Sequence, residues 1–258
     1  MVAAERERSR SLRMVESRSP SVTRAIGILE ELARRRDAVS LTELARSLDL
    51  PKSTVVNLCA ALEAARMIRR VGGWWALDHK VVELGHGFLS TNDRVGEFQR
   101  LCRTLPAAAE ETLLLAVLDD LDVVHLARHD GSQPIRLASD VGRRVPAVVT
   151  ALGKAMLSAL PPEELEHRLA RLAALPVPTP RSHRTVAQLG RDIDAIRDRG
   201  WAVDDEQNTE GVTCLGIAVP GHRAVPVGVS VTMLSARATP ELLGALVADL
   251  NHLAAHLS

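Results

Sequence analysis

The sequence predicts an α+β chain: an N-terminal winged helix-turn-helix, then a linker helix, then a C-terminal α/β domain with an antiparallel sheet. Three observations predict it. Residues 40–77 hold two short helical patterns, a tight turn, and two short apolar runs around Gly72-Gly73. Beyond residue 113 the pattern changes to strand-like apolar runs that alternate with capped helices. The charge also divides, because residues 1–85 hold 15 Lys/Arg against 11 Asp/Glu while residues 86–258 hold 17 against 21, in a chain of zero formal net charge. The basic excess falls on the helix-turn-helix part, where it favours phosphate contacts.

Residues 1–20, rich in arginine and serine and without apolar periodicity, read as a mobile arm, with a DNA-touching arm as the competing reading. A domain at 21–78 follows. From Ser21, the residues Val22, Ala25, Ile26, Leu29, Leu32 and Ala33 mark a helix whose apolar stripe packs on the next two helices. Ser40 and Glu43 form a capping box that starts a helix carrying Leu41, Leu44, Ala45 and Leu48, and Asp49-Leu50-Pro51 ends it. Pro51 launches a second helix to about Arg66, with Val55, Leu58, Cys59 and Leu62 on one face and Ser53, Asn57 and Ala60 on the other. The second face is small and polar, as a helix entering the major groove requires. The first-turn amides, with Lys52, Ser53 and Thr54, suit a phosphate. An ordinary helical hairpin with a solvated face is the alternative. The runs 68–71 and 74–77 around the two glycines form a hairpin wing, on which Arg69 and Arg70 either reach the DNA backbone or are plain solvated charge.

Residues 79–92 read as a linker helix that packs on a partner, since Val81, Val82, Leu84, Phe88 and Leu89 are too apolar for a free linker. The second domain, 93–258, opens with a helix from Asp93 to about Thr112. Strands follow in the runs LLLAVL, VVHLARH and PIRLA, then a loop at 141–146 and a helix from about Thr150 with a first turn of small residues. Those small residues leave room for an anionic ligand or permit close helix packing. Helices begin at Pro161-Pro162 and at Thr185, whose capping box pairs it with Gln188; the run 201–207 feeds a loop into strands at 211–220 and 225–233, and Thr239-Pro240 caps a final helix.

No apolar run of membrane-spanning length and no apolar leader pattern is present, so a cytoplasmic protein with no membrane partner is expected. Cys59, Cys102 and Cys214 are far apart and read as reduced core thiols, with no metal site and no cofactor expected.

The residues LTELARSLDLPKSTV, VGRRVP followed by TALGKAML, and GWAVDDEQ followed by GVTCLGIAVP together resemble the IclR family of bacterial transcriptional regulators, over about Ser21 to Leu257. The resemblance implies a winged helix-turn-helix bound to double-stranded operator DNA and a linker helix used in dimerisation. It further implies a GAF-like domain for a small-molecule effector, often an organic or aromatic acid. Carried over residue by residue, the effector pocket falls on Ala151 and Leu152, Asp204 and Cys214, and Ser230 and Thr232, with Val145 as an apolar wall. Ser230 and Thr232 are two apart and share a strand face, which suits hydrogen bonding to a carboxylate. Asp204 must then donate as an acid, act through water, or face a hydroxyl or cation. Two departures stand out. Val56 and Asn57 occupy positions where relatives carry a polar or aromatic residue and then an arginine, so Asn57 is suited to adenine and Val56 to a thymine methyl. Gln207 stands where a second acid is usual. The expected DNA contacts are therefore Ser40, Thr42, Lys52, Ser53, Thr54, Val56, Asn57, Arg69 and Arg70, presented by a homodimer or a dimer of dimers.

Other function classes remain as alternatives. An enzyme or thiol redox sensor would use Cys214, although its apolar strand context points to an inert thiol. His125 and His129, four apart on a strand and so on one face, could hold a metal, but spacing marks no third ligand. A protein-binding adaptor would use the winged helix without DNA.

Overall fold

The computed structural model describes residues 18–35, 37–91, 93–133, 140–221 and 225–258. Most of the arm at 1–20, Asn92 of the expected linker, and the apolar run 134–138 read as a strand lie outside the described residues. The chain divides into two compact units, Met1–Thr91 and Asn92–Ser258.

In the first unit, α1 (Pro20–Arg35), α2 (Leu41–Leu48) and α3 (Lys52–Ala64) precede a hairpin of β1 (Ile68–Val71) and β2 (Trp74–Leu77), and α4 (Lys80–Ser90) follows. The Ser40/Glu43 capping box starts α2, and Asp49 ends it in the left-handed region at φ 53°. Gly72 and Gly73 turn the hairpin at φ +58° and +87°, values that glycine adopts without steric cost. Ile28, Leu32, Leu44, Val55, Cys59, Ile68 and Trp75 form the core. The α1 stripe differs from expectation. Its core face is centred on Ile28 and Leu32, while Val22 and Ile26 are exposed. A charged residue, Glu31, occupies the inner side instead, held by Arg34 and Arg35, and hydropathy alone could not assign it there. No residue of α4 is buried, and Val82 (72%), Leu84 and Phe88 (57%) are among its exposed apolar side chains.

The second unit starts with α5 (Asp93–Cys102), shorter than the helix expected to reach Thr112, because Pro106 disfavours helical geometry just before it. A six-stranded antiparallel sheet follows in the order β5-β4-β3-β8-β7-β6. Its strands are β3 (Thr112–Asp119), β4 (Asp122–His129), β5 (Arg144–Pro146), β6 (Ala202–Asp205), β7 (Val212–Ala218) and β8 (Val227–Leu234). Residues 144–146, expected as loop, are an edge strand because they pair with 122–124 of β4. One sheet face packs on α5 and α9 (Pro240–His256) through Phe98, Leu115, Val229, Val231, Leu246 and Leu250. The opposite face carries α6 (Ala151–Ser158), α7 (Pro162–Leu169) and α8 (Val186–Arg199) over Leu114, Ala116, Leu152, Met156 and Ile193.

The packing of α6 is unusually close. A Cβ added to Gly216 of β7 would lie 2.6 Å from the carbonyl carbon of Ala151, and one added to Gly153 would lie 2.3 Å from the backbone of Ala147. The small first turn of α6 thus serves close helix packing. We expect Gly216→Ala to push α6 off the sheet and lower stability by about 2 kcal/mol. Gly244→Ala, on an exposed position of α9 with open space around it, should raise stability by about 0.5 kcal/mol. Thermal melts of the two variants check the opposite signs, and a neutral Gly216→Ala would refute the close-packing account.

Candidate functional site

In the first unit, α3 buries Val55 and Cys59 and exposes Lys52, Ser53, Val56, Asn57 and Ala60 along its other side, with Thr54 between. Pro51 supplies no capping side chain, so the first-turn amides remain open to an anion. Thr42 is exposed on α2, whereas the Ser40 hydroxyl is committed to its cap, donating to Glu43 Oε2 at 2.6 Å and accepting from the Glu43 amide at 3.3 Å. The two wing arginines separate. Cross-strand pairing puts Arg70 on the face shared with Trp75, where its guanidinium lies 4.5 Å from the ring centroid and 3.6 Å from Glu63 while the side chain stays 61% exposed. Arg69 pairs with Ala76 on the outer face and is exposed.

In the second unit, residues paired across antiparallel strands project to the same face, so register builds a site. Asp204 pairs with Cys214, Cys214 with Thr232, and Thr232 with Thr112, giving one polar row across β6, β7, β8 and β3. The next row on that face is Ala202, Gly216, Ser230 and Leu114. Ala151 lies against Gly216, and the Leu152 side chain would meet a Cβ at Gly228 at 2.9 Å. Six of the seven expected pocket residues therefore converge. Val145 stands off the polar row, on the edge strand β5, and packs against the apolar cluster that also holds Leu114 and Leu152. Thr112 joins the row and was missed in the sequence, since only strand register reveals it. Ser230 and Thr112 are buried, yet neither hydroxyl is hydrogen-bonded to another described residue.

The charged part of the site rests on Lys154, which is fully buried on α6 (0% exposed) and looks like an ordinary polar position in the sequence. Its Nζ donates to Asp192 Oδ2 on α8 and to the Val203 carbonyl on β6, both at 2.5 Å, and to Gln207 Oε1. Burial pulls the Lys154 ammonium below its usual range, against the opposing attraction of Asp192. Burial would raise Asp192, but Lys154 and His183 hold its carboxyl below the usual range. Asp204 Oδ1 accepts the amides of Gln207 at 2.7 Å and Asn208 at 3.1 Å. Burial nevertheless lifts its carboxyl to about 6. Thr179 and Ser182 close the turn from outside by donating to the Gln207 carbonyl.

The competing chemistries weaken on inspection. Burial, then the nearby Asp204 carboxylate, push the Cys214 thiol to about 12, and it donates to Thr232 Oγ1 at 3.4 Å, so it is a protonated, inert thiol. A β-bulge in β4 corrects the histidine reading. His125 pairs with Ala116 but His129 with Leu113, residues of opposite parity, so the two rings lie on opposite faces. No group of three or more metal-binding side chains occurs among the described residues. His125 is buried with Nδ1 unpartnered, and burial lowers its pKa to about 4, so it is neutral.

Lys154→Met leaves Asp192 and Gln207 facing one another without their shared donor. It should cost about 3 kcal/mol in thermal or urea unfolding, with a coupling to Asp192→Asn of about 1–3 kcal/mol in a double-mutant cycle. Additive losses would show that the ion pair does not tie α6 to α8.

Comparison with known proteins agrees with this geometry. The IclR helix-turn-helix domain matches residues 21–72, and the Bacterial transcriptional regulator IclR C-terminal domain matches residues 86–258. The acetate operon repressor of Salmonella typhimurium is 30% identical over 235 residues, 88% of this chain and 85% of its own. The transcriptional repressor IclR of Escherichia coli is 28% identical over 226 residues, 86% and 82% of the two chains. The fold is shared with an IclR transcriptional regulator from Alicyclobacillus acidocaldarius, at a TM-score of 0.83 and 22% identity over 94% of this chain and 98% of that one. It is shared also with an IclR homologue from Microbacterium hydrocarbonoxydans solved in complex with 4-hydroxybenzoate, at a TM-score of 0.76 and 19% identity over 92% and 98%. The chain therefore belongs to the IclR family of bacterial transcriptional regulators, as a DNA-binding protein with a C-terminal effector domain and not an enzyme.

Proposed function

We propose that the effector binds on the sheet face between the row Asp204–Cys214–Thr232–Thr112 and the first turn of α6. The observation that carries this is the polar row set by strand register, in which the buried residues Ser230 and Thr112 lie on the sheet face that α6 covers, with hydroxyls that make no hydrogen bond to another described residue. Hydroxyls on this face are free to donate to a ligand acceptor. Ala151 and Leu152 supply first-turn amides beside them, Thr150 having already taken the Gly153 amide. At the other end, Asp204 Oδ1 already accepts two amides, and a ligand hydroxyl would donate to Oδ2. An effector with a carboxylate or carbonyl at one end and a hydroxyl at the other satisfies both, and the Microbacterium relative's 4-hydroxybenzoate is such a molecule.

The pH dependence tests the orientation. An ionised Asp204 accepts the ligand hydroxyl, and its carboxyl titrates near about 6. Affinity for 4-hydroxybenzoate, measured by calorimetry, should rise as pH climbs through that value, and Asp204→Asn should flatten the profile. Tighter binding at lower pH would instead mean that a protonated Asp204 donates to an anion. Replacing Ser230 by Ala should weaken binding by roughly tenfold at every pH.

On the DNA side, α3 is the recognition helix, with Asn57 and Val56 at base edges and Lys52, Ser53, Thr54, Thr42 and Arg69 at phosphates. Ser40 contributes through its cap and Arg70 through the packing of the wing. The protein works in the cytoplasm as a homodimer or a dimer of dimers, joined through the apolar side of α4 and spacing two heads roughly 34 Å apart. In titrations of a selected duplex across salt, Lys52→Ala should weaken all sequences and lower the salt slope by about one. Asn57→Ala should relax one base position, and Phe88→Asp should weaken self-association and operator affinity together. Uniform loss in the first two would remove Asn57 from base reading. An unchanged oligomer in the third would move the interface elsewhere.

A further inference from the structure

Beyond the polar row, the sheet face under α6 holds a buried polar group that the effector reading leaves unused. His125 pairs with Ala116, and Ala116 with Gly228, so the His125 side chain stands on the face that carries Leu114 and Ser230. It lies one row along and two strands across from Ser230. Strand spacing puts the two Cα atoms roughly 12 Å apart, within reach of one aromatic acid lying above the sheet. The backbone at this point is fixed on its outer side, since the His125 amide donates to the Arg143 carbonyl at 3.1 Å and its carbonyl accepts the Gly142 amide at 2.8 Å.

His125 is 6% exposed, and its Nδ1 is, among the described residues, the one buried side-chain nitrogen or oxygen without a hydrogen-bond partner. A hydrogen bond to the Asp140 backbone engages the ring, and with Nδ1 unpartnered that bond belongs to Nε2, which therefore carries the proton. Burial, with Arg143 and Arg128 close by, keeps the ring neutral. What remains at Nδ1 is a lone pair, which accepts and does not donate. A buried acceptor left unmatched destabilises a fold, and an apolar ring would avoid that loss.

We infer that His125 is a further polar contact of the effector, with Nδ1 accepting a hydrogen bond from an O–H or N–H of the bound molecule. The effector class narrows accordingly, to a carboxylate or carbonyl compound that carries a second donor besides the hydroxyl facing Asp204. The inference rests on the effector lying on this sheet face, as proposed above. Two features favour a ligand as the missing donor. Arg128, whose charge reaches the ring, is already committed to Asp130, with Nε donating to Oδ1 at 2.7 Å. A resident water would need two to four polar partners, and the neighbours of His125 on this face, Leu114, Ala116 and Val123, are all apolar. A flat apolar molecule with one donor at its edge suits such surroundings.

The test uses the full chain and 4-hydroxybenzoate derivatives bearing one amino group ortho or meta to the carboxylate, each matched with the methyl compound of the same shape. In calorimetry, one amino isomer should bind the parent roughly tenfold more tightly than its methyl counterpart, the effect of one buried hydrogen bond. That preference should vanish in His125→Phe and survive in His125→Asn, whose amide oxygen reaches the position of Nδ1. In nitrogen NMR of the labelled parent, the favoured compound should move the Nδ1 resonance of the neutral ring, which a purely structural histidine would not show. Both parent measurements stand even where His125→Phe does not fold. Equal affinity within every amino and methyl pair overturns the inference, as does a preference that persists in His125→Phe. An Nδ1 resonance that no compound moves leaves that atom to a water and overturns it too. A parent chain that binds no member of the panel removes the effector-face reading as well, whereas binding without an amino preference removes this inference alone.

Discussion

A buried ammonium is tolerable only when its protons all find acceptors, and Lys154 meets that condition with acceptors from three different elements. Its stem belongs to α6, and its head fixes α8 through Asp192, β6 through the Val203 carbonyl, and the following turn through Gln207. Asp204 stands next to Val203 and caps the same turn with Oδ1, so the carboxylate at the end of the polar row is held by the network around Lys154. The departure at Gln207 acquires a reason here. Its oxygen accepts from Lys154, and as a neutral amide it adds no further carboxylate beside Asp192 and Asp204 for the one buried ammonium to balance.

The site also depends on how near α6 can come to the sheet. Gly216 and Gly228 lie on the face that α6 covers, and side chains there would strike Ala151, Leu152 and Met156. The same close approach sets the first turn of α6 beside Ser230, the cross-strand partner of Gly216. Close packing and the proposed ligand chemistry are thus compatible for these small residues. Their smallness lets the helix descend, and the descent delivers the two amides that an acceptor group on the sheet would meet.

The features legible in the sequence are those whose physics is local. Both capping boxes, the proline starts of α7 and α9, and the glycine turn of the wing follow from neighbouring residues, and the structure contains each of them. Pairing across strands is not local. Thr112 entered the polar row only through its register with Thr232, and the bulge that parts His125 from His129 leaves no mark in a run of alternating residues. Lys154 was hidden for a related reason. Nothing near it in the chain announces a buried lysine, because Asp192, Val203 and Gln207 come from distant segments. On α1, the ion pairs of Glu31 let a charge face inward, which turned the true core stripe away from the one hydropathy suggests.

The reading head, taken alone, is a poor electrostatic binder. Glu63 and the Trp75 ring draw Arg70 to the Trp75 face of the wing, and the exposed side of α3 beyond Lys52 is made of Ser53, Val56, Asn57 and Ala60, all uncharged. A head with few phosphate-directed cations gains little from counterion release, so its non-specific affinity should be low and less salt-dependent than that of a basic domain. Discrimination then falls to neutral contacts at base edges, which reward fit and not charge. Each such contact is worth only about 1–3 kcal/mol, so a single head holds its site weakly, and the proposed pairing of two heads would multiply the small preference of each. On that proposal, an effector that changes how two heads are presented needs a coupling of only about 1–3 kcal/mol to alter occupancy appreciably.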